Sequence, residues 1–365
     1  MNIRRWFAIY IVVVLLVAAA AIILLWPKAE TTGEHSQSLA PGPAAETCNL
    51  PGSSLALAVP LACAVGSDCF VQNYFDHDPS PGVADFTCGA LTYDGHDGTD
   101  IRARTLAQME AGIPVLAAAP GIVVGTRNNM ADININAIGL AALDGKEAGN
   151  GVRIDHGNGW FTQYAHMKQG SIAVRTGDTV AAGQQLGLMG LSGNTEFPHL
   201  HFSVQHGETK IDPYTGDDPS YACGAPTHPL WAPGAAPVMA YVPGAALAAG
   251  FAGGAADSRV AGEGGYDGFT LSGDGEALVF WASFFGVEAG DRILLTLETP
   301  GGAIAPVKSD TTIERDRAQQ FQFAGRKRPD GGWPSGTYVG RASLVRTVDG
   351  TALVVSQIEK QIVLP

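Results

Sequence analysis

The sequence predicts a mainly β protein: two bodies built of antiparallel strands, preceded by one N-terminal membrane-spanning helix. Three observations predict it. Forty-seven glycines and 22 prolines among 365 residues, with only 16% charged residues, mark a chain rich in turns. From residue 113 onward the apolar runs are short and punctuated by glycine, the texture of strands rather than of helices. Residues 6–26 are apolar without interruption, and at 1.5 Å per residue their 21 positions reach about 31 Å, enough to cross a bilayer core of roughly 30 Å.

Arg4 and Arg5 precede that run, which predicts a cytoplasmic N-terminus and an exported body anchored in the inner membrane. A cleaved signal peptide is the rival, with Ala18-Ala19-Ala20 as a small-residue cleavage site and a secreted product. Cleavage there would leave Ile22 to Trp26 as an exposed apolar start, which favours the anchor. All five cysteines (Cys48, Cys63, Cys69, Cys88 and Cys223) lie beyond the span, where disulfides persist. Cys63 and Cys69 enclose a short loop and could bridge each other; the odd count leaves one thiol free or paired between chains. No two cysteines are two residues apart, which argues against a thiolate metal site. A net charge of −13 argues against nucleic-acid or anionic-lipid partners.

Read in order, residues 1–26 are the signal anchor and 27–47 a polar tether. Residues 48–94 are a cysteine-containing, irregular lead-in. Residues 95–216 are the first sheet domain, with strands expected at 114–119, 121–125, 151–155, 160–166, 171–175, 184–190 and 199–205. Asn158-Gly159 is a hairpin signal between two of them. One helical piece, 106–111, ends at Gly112. Residues 128–150 form a long polar insertion, the kind that roofs and gates a groove. Residues 217–260, rich in Pro, Ala and Gly, read as a connector. Residues 261–365 read as an immunoglobulin-like β-sandwich, with strands at 269–271, 277–285, 292–298, 319–323, 336–346 and 352–363. This last body contains no histidine or cysteine, so catalysis belongs upstream.

The chemistry-bearing residues fall in three segments. In Pro198-His199-Leu200-His201-Phe202-Ser203-Val204, alternation puts Leu200, Phe202 and Val204 on one face and His199, His201 and Ser203 on the other. The two imidazoles then stand roughly 7 Å apart, which suits one metal ligand beside one proton-handling neighbour. Standing alone, the segment could equally be two surface histidines on a strand. His96-Asp97-Gly98-Thr99-Asp100 offers an imidazole and a carboxylate, both good Zn²⁺ ligands, with Gly98 loosening the backbone between them. Alone it reads as a polar turn. Tyr164-Ala165-His166 ends a strand on which Thr162, Tyr164 and His166 share a face. His156 reads as structural, His35, His77, His206 and His228 as loop residues, and Asn194 and Thr195 as groove lining.

Together the three segments resemble the lysostaphin-like metallopeptidases, peptidase family M23, whose order is HxxxD, a YAH-type strand end and HLH. The punctuation agrees: Pro114-Val115, Ala119-Pro120-Gly121, Gly149-Asn150-Gly151, Gly177-Asp178-Thr179-Val180 and Asp212-Pro213. The resemblance covers about residues 93–214. It implies an antiparallel metallopeptidase domain with one zinc ion per chain, held by His96, Asp100 and His201, and with His166 and His199 catalytic. Three protein ligands leave a fourth position open, the arrangement of a catalytic zinc. It also implies peptidoglycan peptides as substrate, cut at cross-links or in stem peptides, with the D-Ala to diaminopimelate cross-link of a periplasmic wall favoured by the acidic charge. The alternative is a catalytically silent scaffold that activates a wall amidase, but such relatives lack ligands or catalytic histidines and all five positions are present here. A lipoyl-like carrier reading of 174–190 fails for want of a lysine in its turn. The C-terminal β-body is left with spacing or docking to a protein partner.

Overall fold

The computed structural model describes residues 55–218, 221–302 and 304–365. The expected membrane span, the tether and Cys48 lie outside the described residues; among those described, no helix is long and apolar enough to cross a membrane. The strands in chain order are β1 (Cys69–Asn73), β2 (Thr99–Ala103), β3 (Pro114–Leu116), β4 (Gly121–Arg127), β5 (Asn150–Gly157), β6 (Trp160–Met167), β7 (Thr179–Val180), β8 (Gln185–Leu188), β9 (His199–His206), β10 (Thr209–Ile211), β11 (Ala245–Ala252), β12 (Ala277–Val287), β13 (Arg292–Glu298), β14 (Val307–Thr312), β15 (Arg317–Lys327), β16 (Gly336–Val348) and β17 (Thr351–Leu364). Among the described residues helices are few and short: α1 (Leu106–Ala111), α2 (Ile135–Ile138) and α3 (Ser258–Glu263).

An eight-stranded antiparallel sheet runs β1-β2-β9-β6-β5-β4-β7, with β10 also paired to β9. Alternation on β9 holds as expected: Leu200, Phe202 and Val204 are fully buried in the core behind the sheet, with Ile101, Val123, Val152, Ile154 and Tyr164. Each such side chain contributes about 1.5–3 kcal/mol on burial, which fixes which face of β9 turns inward. His199, His201 and Ser203 are thereby held on the other face. The β2–β9 ladder then sets Asp100 opposite His201 and Arg102 opposite His199.

Two short segments expected as strands are not strands. Residues 171–175 follow a bend held by single bonds, Ile172 N to Asn128 Oδ1 and Ala173 N to Leu186 O, with no continuous ladder. Residues 269–271 leave a turn closed by Phe269 N to Tyr266 O. Conversely, β2 lies where a polar turn was read, and β11 with part of α3 lies in the 217–260 stretch read as a connector. β11 is alanine-rich and weak by propensity, but pairing along β12 secures it. Its Gly250 is needed there, since a Cβ would sit 2.8 Å from the Trp281 ring.

Residues 245–364 form a three-stranded sheet, β11-β12-β15, and a four-stranded sheet, β14-β13-β16-β17. They close over one core of Phe280, Phe284, Leu295, Tyr338 and Leu344. A smaller cluster of Phe70, Ala245, Leu247 and Phe285 joins β1 to β11 and β12, with Phe70 and Phe285 edge to face at 5.7 Å. Phe70 lies opposite Arg102 in the β1–β2 register, so this junction borders the sheet face that carries the histidines. Disulfides link Cys63 to Cys69, as the short spacing allowed, and Cys88 to Cys223.

Candidate metal and catalytic centre

Three of the five candidate side chains converge on one point. His96 Nε2, Asp100 Oδ1 and His201 Nδ1 approach one another at 2.9–3.2 Å. His96 and Asp100 are fully buried and His201 nearly so. The outer atom of each is already engaged. His96 Nδ1 donates to the Tyr74 carbonyl at 2.6 Å, so its Nε2 carries a lone pair. His201 Nε2 faces Asp97 Oδ1 at 3.2 Å, which leaves a lone pair on Nδ1. Asp100 Oδ2 accepts from Asn73 Nδ2 at 3.0 Å. With His201 neutral, three inward electron pairs face one another and repel unless a proton or a metal ion joins them.

The electrostatics follow from that convergence. Burial opposes ionisation of Asp100, yet His96, His199 and His201 around it hold its carboxyl well below the usual carboxylate range. Burial likewise opposes charging of His201, but Asp100 and Asp97 outweigh it and push the imidazole up to about 9. A proton thus balances the cluster when no other cation does. Two nitrogens and one carboxylate oxygen, each braced from behind, form a group that could hold a metal ion, and the donor set suits zinc. These are the three residues the sequence motifs single out, and Asp97, inside the same HxxxD segment, braces His201 while also pairing with Lys210 Nζ at 2.9 Å. The Tyr74 carbonyl and Asn73 come from the lead-in, where no local motif signals them.

Gly98 does more than loosen the backbone. A Cβ there would lie 2.7 Å from His201 Cε1 and 2.8 Å from the Phe202 carbonyl, so the HxxxD segment reaches β9 only with glycine at this point.

His199 and His166 stand beside the cluster. His199 Nε2 is 3.5 Å from Asp100 Oδ1, and the two rings are 4.7 Å apart. His199 Nδ1 lies 2.9 Å from the Phe197 carbonyl and 3.0 Å from Thr195 Oγ1, whose hydroxyl itself donates to Phe197 O at 2.7 Å. With Nδ1 donating, Nε2 is left as an acceptor facing the centre. Thr195 is therefore an orienting residue. His166 Nδ1 donates to the Ser192 carbonyl at 2.7 Å, leaving its Nε2 in the same state. Burial lowers both imidazoles from the usual range, and for His166 the neighbouring His199 and His201 add to it. Both are neutral near pH 7.

The expectation that His166 shares a face with Thr162 and Tyr164 is corrected. Those two point into the core, whereas His166 has φ 58° and swings to the opposite face. The β5–β6 register shifts between Asn150 and Val152 alongside it, a bulge that re-aims one side chain. Tyr164 is structural, its hydroxyl accepting from Ala118 N at 2.7 Å. His156 is structural too, bonded to Pro120 O and Thr162 Oγ1. His77 lies in a loop as expected and pairs with Asp212 at 2.9 Å, whereas His206, also expected in a loop, is the last residue of β9. The insertion leans on the loop before β9, through Ile135 N to Thr195 O and Asn134 Nδ2 to Glu196 O.

Removing the brace on His201 tests whether Asp97 strengthens it as a ligand. Asp97→Asn is expected to weaken Zn²⁺ binding about 10- to 100-fold, because the amide no longer strengthens His201 as a ligand. Competition with a calibrated chelator measures it, and an unchanged affinity would assign Asp97 to Lys210 alone.

Residues 94–213 match the family model described as Peptidase family M23. Over 109 residues the chain is 36% identical to "Peptidoglycan DD-endopeptidase ShyA" of Vibrio cholerae serotype O1, covering 30% of this chain and 20% of the relative. Over 125 residues it is 30% identical to "Cell division protein DipM" of Caulobacter vibrioides, covering 34% of this chain and 17% of the relative. The catalytic domain of the prophage-encoded M23 protein EnpA from Enterococcus faecalis aligns at 26% identity with a TM-score of 0.28, over 40% of this chain and 91% of that one. The chain spans about a fifth of the length of the curated relatives it matches. Over residues 94–213 the chain is thus similar in sequence to peptidase family M23.

Proposed function

We propose that the chain is a zinc-dependent endopeptidase that cleaves peptide cross-links or stem peptides of peptidoglycan. The observation that carries this reading is the geometry of five side chains: three inward lone pairs on His96, Asp100 and His201, and two neutral imidazoles beside them. His96, Asp100 and His201 would hold one zinc ion per chain. When bound, zinc polarises a carbonyl and acidifies water at neutral pH. His199 and His166 do the proton work. Each has Nδ1 fixed on a carbonyl and Nε2 free to take a proton at the centre. Once protonated, each becomes a donor toward a developing oxyanion or a leaving amine. A catalytically silent scaffold would have no use for two imidazoles held in this state.

The same reading takes the N-terminal apolar run as an inner-membrane anchor that keeps the body in the periplasm, near the wall. The C-terminal body is taken as immunoglobulin-like. Its first, second and fifth strands form one sheet and its fourth, third, sixth and seventh the other, which supports the assignment. Spacing or docking of a protein partner is its proposed role.

Digestion of purified peptidoglycan, with and without a chelator, tests activity, metal and bond together. Mass spectrometry of the released fragments should show new peptide ends that vanish with chelator and return with Zn²⁺. Cleavage that persists in chelator, or none at all from zinc-loaded protein, would refute the proposal.

A further inference from the structure

Arg102 is a buried cation beside the centre that the reading above leaves unused. It lies on β2 directly across from His199 and on the same face. It is only 4% exposed, and its partners are neutral: Nε donates to Ala103 O at 3.1 Å, and Nη1 to Gln72 Oε1 and, at 3.2 Å, to Gln319 Oε1 of β15. Among the described residues, no carboxylate pairs with it. Its second terminal nitrogen, Nη2, makes no hydrogen bond among them. The guanidinium stacks 4.4 Å above the Phe197 ring, which lies 4.8 Å from His199.

Burying a charge without a counter-charge is costly. Arg346, a more exposed arginine, is by contrast neutralised by Asp291 at 2.8 Å and Glu288 at 2.5 Å. At Arg102 the chain holds a planar fork in place by stacking and three amide carbonyl acceptors, leaves Nη2 without a partner, and supplies no anion. A guanidinium so prepared matches a carboxylate.

We propose that Arg102 selects substrates bearing a free carboxylate close to the scissile bond. This rests on the endopeptidase reading and names the substrate feature that the site reads. That carboxylate has two possible sources: the acid group beside the cross-linked amine of diaminopimelate, or the C-terminus of an uncross-linked peptide.

The test uses the full zinc-loaded chain and two substrate pairs, a cross-linked peptide dimer and a linear stem peptide, each as free acid and as carboxamide. Wild type should favour the acid of one pair by about 10- to 100-fold in kcat/KM, and that pair identifies the source. Arg102→Gln should erase the preference by losing turnover of the acid while sparing the amide, and Arg102→Lys should recover part of it. Equal rates of wild type on acid and amide in both pairs would overturn the proposal without any variant. An equal loss on acid and amide in Arg102→Gln would overturn it as well, making Arg102 a tie between Gln72 and Gln319. If wild type cuts none of the four, the endopeptidase reading fails. Calorimetric binding of the same peptides then decides the carboxylate preference by itself.

Discussion

His201→Ala is expected to purify without zinc, whereas His199→Ala keeps its metal and loses about 10²- to 10⁴-fold in kcat. The two histidines are two residues apart on one face of β9, and composition treats them alike. Their partners do not. His201 Nδ1 belongs to the convergent set, 2.9 Å from Asp100 Oδ1 and 3.2 Å from His96 Nε2. Its removal leaves two protein ligands and strands Asp97 without its imidazole. His199 Nε2 stands outside that set, 3.5 Å from the same carboxylate oxygen, with its ring fixed by Phe197 O and Thr195. Its removal takes away a proton acceptor and leaves all three ligands in place. Metal content by mass spectrometry and turnover on a cross-linked peptide, with circular dichroism as a check on folding, separate the two roles. Full and equal metal occupancy in both variants would sink the ligand assignment.

What was legible in the sequence was local. The alternation Leu200, Phe202, Val204 fixes the face of β9 by burial, and it placed His199 and His201 correctly before any pairing was known. Helix α1 is legible from the glycine that ends it, Gly112; the structure adds Thr105 as the cap at its start. Strand β2 was not. Its residues, Thr99 to Ala103, include Asp and Arg in a region of glycine turns, and only pairing with β1 and β9 makes a buried strand of them. Register is a non-local property. The opposition of Asp100 and His201, the Tyr74 carbonyl behind His96 and the meeting of Gln319 with Arg102 all depend on segments far apart in the chain. The turn of His166 out of its strand face was hidden for a related reason. Left-handed backbone at a non-glycine residue costs on the order of 1–2 kcal/mol, and only the surrounding bulge and the Ser192 carbonyl hold it there.

Opening the Cys88–Cys223 bridge should destabilise the protein far more than opening Cys63–Cys69, and should weaken the metal site with it. The sequence separations are 135 and 6 residues. In the chain-entropy account these loops correspond to about 5 and about 2 kcal/mol. Cys88 belongs to the lead-in that supplies the Tyr74 carbonyl behind His96 and the Asn73 amide behind Asp100. That lead-in is held by a cluster of Tyr74, Phe86, Tyr214 and Tyr241 and by the His77–Asp212 pair. The bridge pins it to the segment that follows Asp212. Urea unfolding of Cys88→Ser/Cys223→Ser against Cys63→Ser/Cys69→Ser, both free of reductant, should show the first less stable by about 3 kcal/mol. Because zinc stabilises only the folded site, saturating Zn²⁺ at 100 times its Kd should restore about 2.7 kcal/mol to either variant. The 88–223 variant should need more Zn²⁺ to reach that point, since the Tyr74 carbonyl and Asn73 amide behind His96 and Asp100 are no longer held in place. Equal losses in the two variants, with equal zinc midpoints, would mean that the lead-in is fixed by its aromatic packing and that the bridge adds nothing to the site.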